Sequence, residues 1–355
     1  MDKDTGNVKV LSVAQALPEF TRPTADALPY LDIWLADEPQ RFRDKVKRIF
    51  KYSQVEQRYS IMPIEEVFTN STFEDKNERF NKVAIELGKK ALLAAVEKAE
   101  ISLQDIDYII TTCCTGFMIP SVDAYIINDL KLRQDIIRLP ITEMGCAAGV
   151  SAMIYANNLL KGNPGKTAAI ISIVSPTSTF QHNDFSMTNM VSAAIFGDGA
   201  ACTILGSSDK LLPTIVDTSM YHFYNEERMM GFDLTNSGLK MVLDVEVPDK
   251  IEERLLEILV PFLNNHNLTF ADIQHFVFHP GGKRIVQLVE DLVKPLGKNI
   301  DDTKEVLRAF GNMSSATVLF VLKRFMEKKI KDGDKGLMLS FGPGFSAQQI
   351  LLEWR

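Results

Sequence analysis

The segment Leu139-Pro-Ile-Thr-Glu-Met-Gly145-Cys146-Ala-Ala-Gly149-Val-Ser151-Ala-Met-Ile-Tyr-Ala-Asn-Asn-Leu-Leu160 runs from an apolar stretch through a glycine into a helix-compatible stretch. A helix is expected to begin at or just after Cys146. Small residues (Ala147, Ala148, Gly149, Ser151) crowd the turn, where a larger side chain would block the approach of a ligand. A cysteine at such a helix start feels the positive end of the helix dipole, which favours thiolate over thiol. A plain core cysteine fits the same pattern, because free Cys behaves as a small hydrophobe. The choice between the two rests on the rest of the chain.

Working outward from this segment, the order of elements repeats. Leu103-Gln-Asp105-Ile-Asp-Tyr-Ile-Ile-Thr111 matches Phe270-Ala-Asp272-Ile-Gln-His-Phe-Val-Phe278 at an offset of 167. Gly145 matches Gly311 at 166, and Gly165–Val174 matches Asp334–Phe341 near 169. Three matches at nearly one offset indicate two similar βαβ-rich halves, 1–210 and 211–355. On this reading Cys146 and Asn312 open pseudo-equivalent helices that face a common centre. Strands are expected over Val8–Ala14, Ile106–Thr112, Ala168–Val174 and Phe196–Leu205, with a long helix over Asn77–Glu100. Glu38–Phe50 carries a cluster of arginines and lysines, a pattern that usually marks a solvated helix face.

Composition narrows the function classes. In 355 residues, 46% hydrophobic and 24% charged side chains describe a soluble globular protein. A net charge of −7 argues against nucleic acid as a partner, so any anionic ligand must meet a local basic patch. The first residues form no long apolar run, and no stretch of 18 apolar residues occurs, so neither a signal peptide nor a membrane span is expected. The four cysteines (Cys113, Cys114, Cys146, Cys202) lack metal-type spacing and suit a reducing compartment, so a cytoplasmic setting is expected.

Three polar residues stand at element ends in apolar surroundings: Cys146, His279 before Pro280-Gly-Gly, and Asn312 after Gly311. His279 would serve equally well to finish a strand, and Asn312 is by type a good helix cap. Together they have a chemical logic. A thiolate beside an imidazolium accepts an acyl group from a thioester. His and Asn donors aimed at the carbonyl oxygen of a malonyl thioester stabilise the charge that decarboxylation builds there. A Cys-His-Asn protease would use the same residue types, but no protease-type cysteine motif is present.

Gly145-Cys146-Ala-Ala-Gly, Phe196-Gly-Asp-Gly-Ala-Ala, His279-Pro-Gly-Gly, Gly311-Asn312-Met-Ser-Ser-Ala and Phe341-Gly-Pro-Gly-Phe resemble the chalcone-synthase-like family, the type III polyketide synthases. The resemblance implies an α/β thiolase fold, two βαβαβαββ halves in an αβαβα layered arrangement. It also implies a homodimer that condenses malonyl-CoA onto an acyl-CoA starter. Both thioesters are substrates, and no further cofactor is implied. Cys146 is then the acylated nucleophile, and His279 and Asn312 form the decarboxylation pair. Lys45 and Arg48 fall where the family holds the CoA phosphates, with Lys51 or Tyr52 near the next family lysine. Lys283 and Arg284 lie along the CoA arm. Phe196 and Met241 match the two gatekeeper positions, and the second of these is usually Phe. Cys114, Thr115, Thr179, Gly231 and Ser314 are implied to be substrate-binding, and Ile119 matches a residue that reaches into the partner's cavity. No carboxylate appears near Val174–Thr177, where family members carry one. With an adaptable Met at the second gate, this favours fatty acyl starters and pyrone products over aromatic ones. The alternative enzyme is an initiating ketoacyl synthase of fatty-acid synthesis, which loads from acyl carrier protein and lacks the His-Pro-Gly-Gly motif and the Gly-Pro-Gly terminus.

Overall fold

A computed structural model describes residues 7–355. The β-branched and apolar runs of both halves form one mixed sheet of nine strands. Its first half is Lys9–Ala16, Tyr108–Thr112, Ile137–Ile141, Ala168–Val174 and Gly199–Gly206; its second is Pro213–His222, His275–Phe278, Lys335–Gly342 and Ser346–Trp354. The halves meet edge to edge where Lys9 pairs with Thr214. Outward from that seam the strands follow corresponding orders on both sides. The register shows the repeat directly: Tyr108 lies opposite Ala168 in a parallel pair, and His275 lies opposite Gly336. The turns before these strands are closed alike, by Asp105 on the Ser102 N–H (2.7 Å) and by Asp272 on the Thr269 N–H (2.8 Å).

The first half runs βαβαβαββ. Among the described residues the second half has no partner for its third strand, Ile137–Ile141. The corresponding segment, Gly297-Lys-Asn-Ile300, is short and polar and offers no β-branched run to hold an edge.

Three apolar cores separate the layers. Helix Phe73–Ala99 covers the outer face of the first half, and helices Val247–Asn264 and Lys283–Val293 cover that of the second. Between the two half-sheets lie helices Ala148–Gly162 and Thr317–Met326, which share one core with strands of both halves. A helix buried on nearly every side must be apolar all round. Ala147–Met153 and Val318–Leu322 are buried throughout and, Ser151 apart, apolar throughout.

The central helix starts correct one sequence expectation. The glycine-to-glycine match made Cys146 and Asn312 equivalent. In the structure the single-turn helices Gly145–Ala147 and Ser314–Ala316 correspond, which makes Ser315 the counterpart of Cys146. Gly145 has φ +47° and Ser314 has φ +45°, and each turn closes with the same bond, Ala147 N–H to Met144 O (3.1 Å) and Ala316 N–H to Met313 O (3.0 Å). A serine in the left-handed region is uncommon, so sequence matching selected the nearby glycine instead. Asn312 lies upstream of the helix and does not cap it. It forms an isolated bridge with Phe196.

Candidate active site

Cys146 opens the first central helix and lines a cavity of about 540 Å³ that His279, Asn312, Phe196 and Phe341 also line. The elements around Cys146 are held close by glycines. A Cβ on Gly342 would stand 2.7 Å from both Ala147 N and Met144 O, and one on Gly145 would stand 2.6 Å from Pro343 Cδ. The Gly-Pro-Gly strand end therefore packs directly on the turn that carries Cys146. Next to it, the Ser340 hydroxyl donates to Cys146 O (2.7 Å). Gly149 lets the second helix start approach, since a Cβ there would fall 2.3 Å from Ser315 O.

The structure revises the electrostatics expected of the pair. Burial pushes the Cys146 thiol up to about 11, opposed only in part by hydrogen bonding to the Ser314 side chain. Burial also pushes His279 down to about 4. Both ring nitrogens of His279 are buried without a hydrogen-bond partner among the described residues. Both shifts favour the uncharged forms, a thiol and a neutral imidazole, over the expected ion pair. Removal from water disfavours the charged form of each group.

Asn312 is held from every side. Its N–H donates to Ile195 O (2.8 Å), and its C=O accepts from the Gly197 N–H (3.0 Å). Its Oδ1 accepts from the Ser314 N–H (2.8 Å) and the Thr317 hydroxyl (3.3 Å), and its Nδ2 donates to Gly281 O (3.1 Å). An amide has two donors and two acceptor sites, so one N–H remains unspent beside the unspent imidazole.

A second cavity of about 330 Å³ is lined by Cys113, Cys114, Phe117, Met230, Gly231, Phe232, Leu239 and Val242, among others. Met230 lines both cavities and stands between them. Gly231 borders open space, with no atom within 4 Å of a Cβ position. The Cys114 thiol, pushed far up by burial, lies 3.5 Å from the Ser314 hydroxyl. Four expected lining residues, Thr115, Thr179, Met241 and Ser314, do not line either cavity. Thr115 is buried and accepts from the Ser175 N–H (2.8 Å), and Thr179 donates to Pro176 O (2.9 Å). Met241 packs against the core cluster that contains Phe196. The methionine at the junction is Met230, which no short sequence motif marks. Asp198, from the Phe-Gly-Asp-Gly run, does approach the Thr177 neighbourhood. Its carboxylate is buried and spent on the backbone N–H groups of Thr177 (3.0 Å) and Ile61 (2.9 Å).

Around the mouth, helix Gln40–Lys51 turns Val46 and Phe50 inward and leaves Arg41, Lys45, Arg48 and Lys51 exposed. Ile49 and Tyr52 of the same segment line the larger cavity, and Lys283 and Arg284 line it from the other side. Arg284 is paired with Asp249. Lys45, Arg48 and Lys51 have no acidic partner among the described residues, which leaves them available to an anion. No helix among the described residues is long and apolar enough to cross a membrane.

Comparison with known proteins gives this arrangement a context. The family model for the N-terminal domain of chalcone and stilbene synthases matches residues 1–209, and the model for their C-terminal domain matches 216–354. The chain is 31% identical to a 1,3,6,8-tetrahydroxynaphthalene synthase of Streptomyces peucetius, over 97% of this chain and 93% of that protein. It is 29% identical to a phloroglucinol synthase of Pseudomonas fluorescens, over 95% and 96%. Its fold matches the crystal structure of the tetrahydroxynaphthalene synthase of Streptomyces coelicolor, a bacterial type III polyketide synthase, with a TM-score of 0.91 at 27% identity, covering 98% of this chain and 99% of that one. With Cys, His and Asn converging on one cavity between two duplicated halves, the chain belongs to the chalcone and stilbene synthase family and is a thiolase-fold, acyl-transferring type III polyketide synthase.

Proposed function

We propose that the larger cavity admits a CoA thioester, that Cys146 takes the starter acyl group, and that His279 and Asn312 drive the malonyl steps. The observation that carries this reading is the pair of unspent donors, His279 and the free N–H of Asn312, lining the same cavity as Cys146. In loading, the Cys146 sulfur attacks the thioester carbonyl, His279 takes the thiol proton, and CoA leaves as the thiol after receiving a proton in turn. In extension, the two donors stabilise the enolate oxygen formed as malonyl-CoA loses carbon dioxide. The enolate carbon then attacks the acyl-Cys146 carbonyl, and the Cys146 thiolate leaves. Lys45 and Arg48, with Lys51 nearby, supply positive charge for the CoA phosphates, and Arg284 flanks the arm.

The growing chain extends past Met230 into the second cavity, whose Phe117, Phe232, Leu239 and Val242 suit a flexible alkyl tail. A medium or long fatty acyl starter is therefore favoured. The Asp198 carboxylate is committed to the backbone, which supports lactonisation to an alkyl-pyrone over aldol ring closure. Residues 1–210 and 211–355 act as two half-domains around the site.

Mass spectrometry of products from octanoyl-, lauroyl- and coumaroyl-CoA with malonyl-CoA tests this reading. Extended pyrones from the fatty starters are expected in the wild type and absent in Cys146→Ala. Preference for the aromatic starter rejects the substrate class, and extended products from the alanine variant reject the nucleophile.

A further inference from the structure

We infer that Thr317, the first residue of the second central helix, is a positioning residue for decarboxylation and sets which end of the Asn312 amide faces the substrate. The inference rests on the assignment of Asn312 as an enolate donor. A side-chain amide can be turned end for end with little change of shape, and the two orientations act oppositely. With the amino group toward the cavity, Asn312 gives a donor to a developing oxyanion. Turned over, it presents an oxygen that repels one.

The surroundings of Asn312 decide between the two. Two donors converge on Oδ1, the Ser314 N–H (2.8 Å) and the Thr317 hydroxyl (3.3 Å), while one acceptor, Gly281 O (3.1 Å), meets Nδ2. Ser314 reaches Oδ1 from a left-handed backbone conformation. Thr317 is itself anchored: its buried Oγ1 accepts from the Met313 N–H (2.7 Å), and its one hydroxyl hydrogen is shared between Ser314 O (3.0 Å) and Asn312 Oδ1 (3.3 Å). A reversed amide would set its amino group against the Ser314 N–H and its oxygen against Gly281 O. Asn312 is also clamped through its backbone to Ile195 and Gly197, so side-chain rotation is the freedom left to it. The Thr317 hydroxyl contributes one of the contacts that oppose that rotation.

The test compares Thr317→Val, nearly isosteric but without the hydroxyl, with Thr317→Ser, which restores it. Two half-reactions are followed: single-turnover acylation of Cys146 by a fatty acyl-CoA, and carbon dioxide release from malonyl-CoA. For Thr317→Val, decarboxylation kcat is expected to fall about 10-fold with KM unchanged, while acylation stays within about 2-fold. Thr317→Ser is expected to recover most of the loss. In an Asn312→Ala background the valine substitution should have no further effect on decarboxylation.

The inference is overturned by unchanged decarboxylation in Thr317→Val, by equal losses in both half-reactions, or by failure of serine to restore the rate. The Asn312→Ala single variant separates the two levels. If it decarboxylates normally, the donor assignment itself fails. If it is impaired while Thr317→Val is not, only the role of Thr317 fails.

Discussion

His279 and Asn312 line one cavity, yet they are prepared for the proposed decarboxylation by opposite means. Asn312 is over-determined, with every hydrogen-bonding capacity but one already spent. His279 is left with both ring nitrogens unpartnered and is kept neutral by burial. Asn312→Ala is therefore expected to slow malonyl-CoA decarboxylation by about 100-fold while starter loading changes little, the usual effect of losing one oxyanion donor. Equal losses in the two half-reactions would remove the division of roles. The histidine predicts an acid response. Its pKa falls from 6.5 to about 4 on folding, so below pH 6.5 the unfolded chain binds a proton that the folded chain refuses. Stability from this site is complete above pH 6.5 and is lost as pH falls towards 4, up to about 3 kcal/mol. Denaturant titrations of wild type and His279→Gln at pH 7 and pH 4.5 measure the difference. The wild type should lose more on acidification, and the reverse order would mean that the imidazole is charged in the native state.

At the level of elements, the helix Gln40–Lys51 does two jobs with two faces. Val46 and Phe50 anchor it to the core, Ile49 and Tyr52 shape the cavity wall, and the basic residues face outward. Such a run usually means nothing more than solvation. Its place beside the cavity, on a chain of net charge −7, is what supports the proposed role in binding CoA phosphates. Lys45→Glu or Arg48→Glu should raise KM for CoA thioesters several-fold and leave acyl-pantetheine analogues, which lack the distal phosphates, nearly unaffected. At this exposure the effect should also shrink with added salt. A comparable loss with both substrate types would return the helix to a purely structural role.

For the whole molecule, the outer end of the first half-sheet carries exposed apolar side chains: Ile119 at 98% exposure, with Ile137, Tyr125 and Phe117 also exposed. Phe117 at the same time lines the smaller cavity. Contact with a second copy of the chain across this edge, as the resemblance implies, would cover the patch and bring Ile119 to the partner's cavity. Ile119→Asp is expected to shift the chain towards monomer in sedimentation velocity and to change product length. A monomeric wild type, or a variant dimer with unchanged products, would count against this arrangement.

Much of this was legible in the chain before folding. The two-half architecture could be read because buried strands and their capped turns impose local patterns that duplication preserved, down to Asp105 and Asp272 closing the same turn. The proposed reacting residues were legible because Cys146, His279 and Asn312 sit in glycine-rich contexts, which around Cys146 and Asn312 let neighbouring backbone approach closely. Other features depend on elements distant in sequence. The equivalence of Cys146 with Ser315 was hidden by a serine that takes a glycine's conformation. Met230, not Met241, borders both cavities because the pairing and packing of the hairpin Met230–Leu243 decide which side chains face inward. The protonation of Cys146 and His279 follows from desolvation by several layers packed around them, and local sequence carries no record of that enclosure.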